Sequence, residues 1–323
     1  MANNIRVAFF GSPPFANLTL ETLIRSGRPP SVIVTAPLRR AGRGRRVADN
    51  FIAELGKESG IPVLQPRSAK DLDFQEELKS YDCDLMCVVS YGQILNDKLI
   101  NLTRLGCVNI HASLLPRWRG ASPIQATILS GDLKSGVTIQ KMVLELDAGD
   151  VLSSKELLLP DDVTAPWLFK KLSYMGAESF LDFIKKVETT NMLPPGEAQN
   201  PLEVTHCQKI QKLDGEIDWQ QEILEVDKHY RAYLGWPGAF TYLPSGERLI
   251  IHQAKPLLVN DIFCAPGEIF LGENKEVFIA CGRGALELVL IQREGRKKAE
   301  ALTLISSSVV KEGDYLGASC HEK

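Results

Sequence analysis

The chain has 323 residues, of which 44% are apolar and 24% charged; this is ordinary for a globular protein and long enough for two domains. Its formal net charge of −3 argues against a generally basic coat for nucleic acid, although a balanced total leaves room for a local cationic patch. The sequence shows no signal-peptide pattern and no apolar stretch long enough to span a membrane. Seven scattered cysteines without a C-x-x-C pair indicate reduced thiols, so we expect a cytoplasmic protein.

The first half alternates apolar runs with amphipathic helical patterns, which predicts an α/β domain with a largely parallel sheet. The predicted strands, each apolar enough to be buried on both faces, are Ile5 to Gly11, Ser31 to Ala36, Leu85 to Ser90 and Cys107 to His111. The predicted helices are Ala16 to Ser26, Val47 to Gly60, Lys70 to Tyr81, and one or two helices over Val163 to Val187. The turn after the first strand lacks the G-x-G-x-x-G pattern and contains two prolines, which argues against a dinucleotide-binding domain.

The composition changes after residue 188. Residues 189 to 201 are polar and rich in proline, which predicts a linker. The remainder contains short β-like runs separated by Gly, Asn and Pro turns, a pattern typical of a small antiparallel barrel. We therefore expect a first domain over residues 1 to 188, a linker over 189 to 207 and a second domain over 208 to 323.

The strongest cluster of like charge is the segment PLRRAGRGRR, residues 37 to 46, which contains five arginines and no acidic residue. Glycines on both sides of Arg43 allow the backbone of this arginine-rich segment to adapt to a binding partner. Planar guanidinium groups suit phosphate recognition. The alternative is a solvated loop without a binding role.

Two polar residues end the strand CVNIH. Asn109 and His111 are two positions apart, so both side chains lie on one face of the strand, near its carboxyl end. In open α/β sheets, ligands bind outside that end. A polar pair at a strand end is also explained by contact with water, so the pair alone leaves both readings open.

The residues that follow this strand decide between those readings. The chain has Asn109-Ile110-His111, then SLLPRWRG at residues 113 to 120, then DAGD at residues 147 to 150. In this order and spacing, the sequence resembles the 10-formyltetrahydrofolate-dependent formyltransferase family. The resemblance implies a Rossmann-like catalytic domain followed by an OB-like β-barrel domain. It also implies catalytic roles for Asn109, His111 and Asp147.

Those residue types suit formyl transfer. The reaction needs a donor for a tetrahedral oxyanion and a route for a proton from the attacking amine to the leaving folate nitrogen. An asparagine amide supplies a neutral N–H donor, and an imidazole can donate or shuttle a proton near neutral pH. A nearby carboxylate orients the imidazole. No metal is required, and the five histidines show no metal-ligand spacing.

The resemblance also implies where the co-substrate, 10-formyltetrahydrofolate, binds. A pterin ring needs a slot with apolar walls and backbone hydrogen bonds. The positions that the family pattern assigns to this slot are Val89, Tyr91, Gly92, Ile94, Ser113, Leu114, Leu115 and Pro116. Taken alone, the run VVSYGQIL from residue 88 to 95 is equally compatible with a buried strand that enters a turn.

The acceptor of the formyl group is indicated by the second half. The phrases KIQKLDGEIDW (209 to 219) and RAYLGWPGAF (231 to 240) resemble the members of the family that act on initiator methionyl-tRNA. The resemblance extends to the arginine-rich segment, with Leu38 and Arg40 in place of the usual Asp and Pro. Residues expected to contact tRNA are Arg39, Arg43, Arg45, Arg46 and Lys209. We expect a monomer without membrane contact. A formyltransferase for a sugar nucleotide or another small amine, and an inactive RNA-binding protein, remain alternatives.

Overall fold

The computed structural model describes residues 4–37, 40–41, 46–47, 50–259 and 263–317. The chain divides into two compact units. The N-terminal unit comprises residues Met1–Pro123, Lys134–Leu159 and Phe169–Cys207; the C-terminal unit comprises Ile124–Leu133, Pro160–Leu168 and Gln208–Lys323. In the described ranges, no helix is both long and apolar enough to cross a membrane.

The N-terminal unit is built on a seven-stranded sheet in the order β10-β9-β7-β6-β1-β2-β5. Its strands and short bridging pairs are β1 (Val7–Gly11), β2 (Val32–Val34), β3 (Arg40–Ala41), β4 (Arg46–Val47), β5 (Val63–Leu64), β6 (Leu85–Val89), β7 (Cys107–His111), β8 (Arg119–Gly120), β9 (Lys134–Lys141), β10 (Val151–Leu158) and β11 (His206–Cys207). Strands β5, β2, β1, β6 and β7 are parallel, whereas β9 and β10 are antiparallel to their neighbours. The predicted, mostly parallel α/β sheet is therefore confirmed. The sequence patterns missed β5, β9 and β10.

The helices up to residue 190 are α1 (Phe15–Arg25), α2 (Phe51–Glu58), α3 (Leu72–Lys79), α4 (Asp97–Ile100), α5 (Pro123–Leu129) and α6 (Ala165–Thr190). The prediction placed the start of α2 too early, at Val47, because that residue pairs in β4. The helix begins only after Asn50, whose side-chain oxygen accepts a hydrogen bond from the Ala53 amide at 3.2 Å. A single helix, α6, fills the span in which one or two were expected.

Apolar packing on one face of the sheet fixes the strands that carry the site. Phe10 of β1 contacts Phe74 of α3 and Tyr91 edge to face, with ring centroids 6.4 and 5.3 Å apart. Met86 and Val88 of β6 belong to the same buried cluster. Because β1, β6 and β7 run in the same direction, their carboxyl ends lie along one edge of this packed sheet.

The C-terminal unit contains an antiparallel sheet in the order β12-β13-β16-β15-β14, with a further strand, β17, paired to β16. Its elements are α7 (Ile223–Tyr233), β12 (Phe240–Tyr242), β13 (Arg248–Leu257), β14 (Ile269–Leu271), β15 (Val277–Ala280), β16 (Ala285–Arg293), β17 (Ala299–Glu300) and α8 (Leu302–Ser306). The predicted small antiparallel β domain is confirmed. Within the described part of the chain, no ladder joins β12 to β14, so hydrogen bonds leave the sheet open rather than closed as a barrel.

Candidate active site

The predicted pair on β7 lies at the carboxyl edge of the sheet. Strand β7 lies between β6 and β9 in the sheet. Its register with β9 places Asn109 opposite Gln140 and His111 opposite Thr138. His111 is buried, with 6% of its surface exposed, and Asn109 is half-buried. The edge of the sheet therefore presents a polar group of four side chains within an otherwise apolar layer.

The carboxylate of Asp147 lies beside this group, in the turn between β9 and β10. Its Oδ1 accepts hydrogen bonds from Gln140 Nε2 at 2.8 Å and from Asn109 Nδ2 at 3.4 Å. Its Oδ2 accepts from the backbone amide of Gly120 at 2.9 Å. The same Oδ1 is 3.7 Å from His111 Nδ1. The structure thus brings the three predicted catalytic residues together around one carboxylate.

The two nitrogens of His111 face different partners. Nε2 lies 2.9 Å from the carbonyl oxygen of Trp118, and a carbonyl can only accept a hydrogen bond. In this arrangement Nε2 carries the hydrogen and Nδ1 faces Asp147. An imidazole held in this way can accept a proton at Nδ1 beside a carboxylate, which stabilises the imidazolium that forms.

Two glutamines that no sequence motif indicated touch the turn around Asp147. Gln140, on β9, is 1% exposed and donates to the carboxylate. Gln199 donates from Nε2 to the carbonyl oxygens of Asp147 and Gly149, at 2.8 and 2.7 Å. A hint for Gln140 was available, because a polar residue in a buried strand needs a partner. We find no comparable signal for Gln199, which lies in a stretch whose composition predicts a linker.

Gly149 constrains the backbone of the turn that carries Asp147. A Cβ atom at this position would overlap the carbonyl oxygen of Lys141 on the neighbouring strand. Only glycine permits this approach of two backbones. The Asp147 residue two positions earlier has a φ of +51°, in the left-handed region that residues with a Cβ rarely adopt. The turn is therefore tightly constrained around the carboxylate.

The SLLP segment is tied to β9 by Thr138. The Thr138 hydroxyl donates to the Ser113 carbonyl at 2.7 Å and accepts from the Leu115 amide at 3.1 Å. The Ser113 hydroxyl donates to the carbonyl of Arg117 at 2.6 Å. Leu115 is 9% exposed, and Leu114 and Pro116 are half-buried. These contacts fix the segment next to the catalytic group.

The other predicted folate-contact positions follow β6 at the same edge. Val89 is fully buried, Gly92 has a φ of +78°, and the Ile94 side chain is 78% exposed. Tyr91 is 3% exposed, and burial raises its pKa to about 12. The buried hydroxyl of Tyr91 has no hydrogen-bond partner in the described part of the chain. A buried polar atom without a partner fits a site that a ligand completes.

The positions predicted to contact tRNA are only partly described. Arg39, Arg43 and Arg45, and the side chain of Arg46, lie outside the described residues. Lys209 is exposed on the C-terminal unit. Among the described residues, no group of three His, Cys, Asp or Glu side chains is arranged to hold a metal ion.

The chain matches known proteins along nearly its whole length. Residues 4–183 match the formyl transferase model, and residues 209–308 match the model of the formyl transferase C-terminal domain. A methionyl-tRNA formyltransferase of Methylococcus capsulatus is 39% identical over 94% of this chain and 97% of its own length. One of Paramagnetospirillum magneticum is 36% identical over 97% of this chain and all of its own length.

Solved structures support the fold. HypX from Aquifex aeolicus in complex with tetrahydrofolic acid has a TM-score of 0.63 and 17% identity, over 96% of this chain and 49% of its own. An N-formyltransferase from Helicobacter canadensis, in complex with folinic acid and dTDP-3-aminofucose, has a TM-score of 0.63 and 15% identity, over 90% of this chain and 99% of its own. The chain belongs to the formyl transferase family, and its similar relatives over nearly the full length are methionyl-tRNA formyltransferases.

Proposed function

We propose that this protein transfers the formyl group of 10-formyltetrahydrofolate to the α-amino group of initiator methionyl-tRNA. The observation that carries the proposal is the meeting of Asn109, His111 and Asp147 at one polar site. The full-length similarity to methionyl-tRNA formyltransferases supports the choice of acceptor. The reaction places the protein at the start of translation, and we propose that it works there as a cytoplasmic monomer.

The chemistry required of the site is a balanced acyl transfer. The amine nitrogen forms a bond to the formyl carbon, the bond from that carbon to the folate nitrogen breaks, and one amine proton ends on that nitrogen. In the transition state, negative charge develops on the formyl oxygen. We assign Asn109 to donate to this oxygen, because its 3.4 Å bond to Asp147 is long and is easily exchanged for a better acceptor.

We assign His111 and Asp147 to the transfer of the amine proton. The Nδ1 atom of His111 faces the Asp147 carboxylate and can receive a proton that leaves the amine. The carboxylate is held by the donors Gln140 and Gly120, so the negative charge beside the imidazole stays in a fixed position. A preorganised charge does not need to reorient as the reaction proceeds.

We propose that the folate substrate occupies the carboxyl edge of β6 and the SLLP segment. The fit rests on Tyr91, whose buried hydroxyl has no partner within the described ranges, and on the exposed apolar side chain of Ile94. The contacts at Val89, Gly92 and residues 113 to 116 complete the proposed slot. We also propose that the arginine-rich segment and Lys209 contact tRNA phosphates, by charge and counterion release.

One assay tests the reaction. The protein is incubated with methionyl-tRNA and 10-formyltetrahydrofolate carrying a labelled formyl group, and formylmethionine is measured after deacylation. We expect label in methionine, accumulating at least about 10²-fold more slowly with Asp147→Ala. Parallel reactions contain a dTDP-linked amino sugar or glycinamide ribonucleotide. Label in one of these and none in tRNA would refute the proposed acceptor while leaving formyl transfer intact.

A further inference from the structure

A segment that follows α6 returns to the candidate active site. We call residues Gly196–Cys207 the return segment. Backbone hydrogen bonds of 2.8 and 2.9 Å pair Glu197 with Val151, just after the turn that carries Asp147. At its other end, β11 pairs in parallel with β8, in the loop that follows the SLLP segment. The return segment therefore contacts both loops that surround the catalytic group.

Gln199 is the side chain through which this segment reaches the turn. Its Nε2 donates two hydrogen bonds, to the carbonyl oxygens of Asp147 at 2.8 Å and Gly149 at 2.7 Å. Its Oε1 accepts a bond from Arg119 Nε at 3.0 Å. The Arg119 Nη1 atom lies 3.2 Å from Glu145 Oε1, in the same turn. Gln199 thus joins the turn to the loop whose Gly120 amide holds the Asp147 carboxylate.

The two bonds from Gln199 hold a backbone conformation at Asp147 that is energetically unfavourable by itself. Asp147 has a φ of +51°, which brings its Cβ close to backbone atoms. A residue held in this region persists only where the surrounding contacts fix it. The two bonds from Gln199 fix the carbonyls at and just after Asp147. Without them, the turn can relax and the carboxylate can leave its place beside His111.

We propose that Gln199 is a positioning residue for formyl transfer. Within the described residues its side chain has no hydrogen bond to His111 or Asn109, and it works through the backbone of Asp147. The proposal rests on the proposed function, because positioning is measured by the rate of formyl transfer. Misplacement of a catalytic group by about 1 Å costs a reaction on the order of 10²-fold in rate. A loss of kcat is therefore expected, with little change in KM.

Two substitutions separate the donated bonds from the rest of the side chain. Gln199→Glu has nearly the same shape and keeps an acceptor for Arg119, but it lacks the donor for the two carbonyls. Gln199→Leu removes both functions. We expect both variants to lower kcat by about 10- to 100-fold and to leave KM for the folate and for tRNA within a few-fold. Leu202→Ala is the control, because Leu202 lies in the same segment and is 93% exposed.

A double-mutant cycle distinguishes positioning from a general structural effect. Gln199→Glu is combined with Asp147→Asn, and kcat is measured for both single variants and for the pair. If Gln199 acts through Asp147, the second substitution costs much less in the Asp147→Asn background than in the wild-type background. Multiplicative losses would overturn the proposal, because they describe two independent defects.

The outcomes also separate this proposal from the proposed function. If the wild-type protein formylates tRNA and Gln199→Glu retains wild-type kcat, Gln199 has no positioning role and the function stands. If the wild-type protein formylates no methionyl-tRNA, the function fails and the proposal fails with it. Equal kcat in Gln199→Glu and Leu202→Ala would likewise count against the proposal, even where both are below wild type.

Discussion

The side-chain amide of Gln140 lies 2.8 Å from the carboxylate of Asp147. Gln140 is on β9, opposite Asn109 of β7. The Asp147 carboxylate therefore receives a hydrogen bond from a strand that contains none of the motif residues. Its Oε1 is buried and has no hydrogen-bond partner within the described part of the chain. An unpaired buried acceptor lowers the stability of the fold by about 1–3 kcal/mol. An apolar side chain of the same size would avoid this cost, so packing alone does not explain the amide.

Replacing Gln140 by Met should lower turnover more than stability. Methionine has a similar length and fills the space, but it cannot donate to Asp147. We expect kcat to fall by about 10-fold or more, since a charge-assisted hydrogen bond contributes about 1.5–3 kcal/mol. The urea midpoint should change little, because loss of that bond is offset by removal of the unpaired acceptor. Gln221→Met, in the C-terminal unit, is the control. An unchanged kcat would remove Gln140 from the site.

The catalytic trio is tested by truncation. Asn109→Ala, His111→Ala and Asp147→Ala should each lower turnover by about 10²-fold or more, the range for loss of an oxyanion donor or a proton shuttle. Circular dichroism should show folded variants. Asn274→Ala, in a surface turn, controls for loss of an asparagine amide. A variant with near-normal turnover would exclude its residue from the proposed mechanism.

The arginine-rich segment gives a third prediction. Arg43→Ala should lower formylation of tRNA strongly and leave hydrolysis of the folate substrate nearly unchanged, because the residue is proposed to contact only the acceptor. Arg43→Lys should also fail, since a point charge does not reproduce the planar fork. The salt dependence of tRNA affinity should become shallower. Arg25→Ala is the control, because the Arg25 side chain is 80% exposed and pairs with Glu21 of the same helix. Equal effects at Arg25 and Arg43 would contradict a specific contact.

Half-buried Cys83 and buried Cys281 predict that stability depends on alkaline pH. Burial raises the pKa of Cys83 to about 11 and that of Cys281 to about 12, from an ordinary value of 9.0. Between pH 9 and 11 the unfolded chain therefore loses these protons first, and the free energy of unfolding should fall as the pH rises. At pH 8 both thiols should react slowly with iodoacetamide, because thiolate is the nucleophile. Peptide mass spectrometry measures both sites. Labelling as fast as in denaturant would contradict the prediction.

The parts of the site that the sequence revealed are those whose residues lie in one ordered motif. The resemblance identified Asn109, His111 and Asp147, and alternation along CVNIH correctly placed the first two on one face. The strand opposite was missed because KSGVTIQK, residues 134 to 141, reads as polar although six of its eight residues are buried. Two of its polar side chains bond to other elements, Thr138 to Ser113 and Gln140 to Asp147, and no local pattern contains that information.

Long-range contacts explain the other omission. Gln199 is 52 residues from Asp147 in the chain, and its surroundings are rich in proline and polar residues. Such composition normally predicts a linker. Contacts with residues far away in the chain, such as the pairing of Glu197 with Val151, show that this stretch is packed on the site. A hydrogen bond to a distant backbone carbonyl leaves no trace in local spacing, whatever its importance to the turn.

The return segment also sets an order of events during synthesis. The ribosome makes Asn109, His111 and Asp147 well before it makes Gln199 and Cys207, which complete the contacts around them. Domains generally fold from the N-terminus as the chain emerges. A nascent chain, or one cut short by a stop codon between Asp150 and Gln199, carries the entire motif without the bonds that hold its turn. Genome comparisons that count motifs alone would score such a truncated product as a complete enzyme.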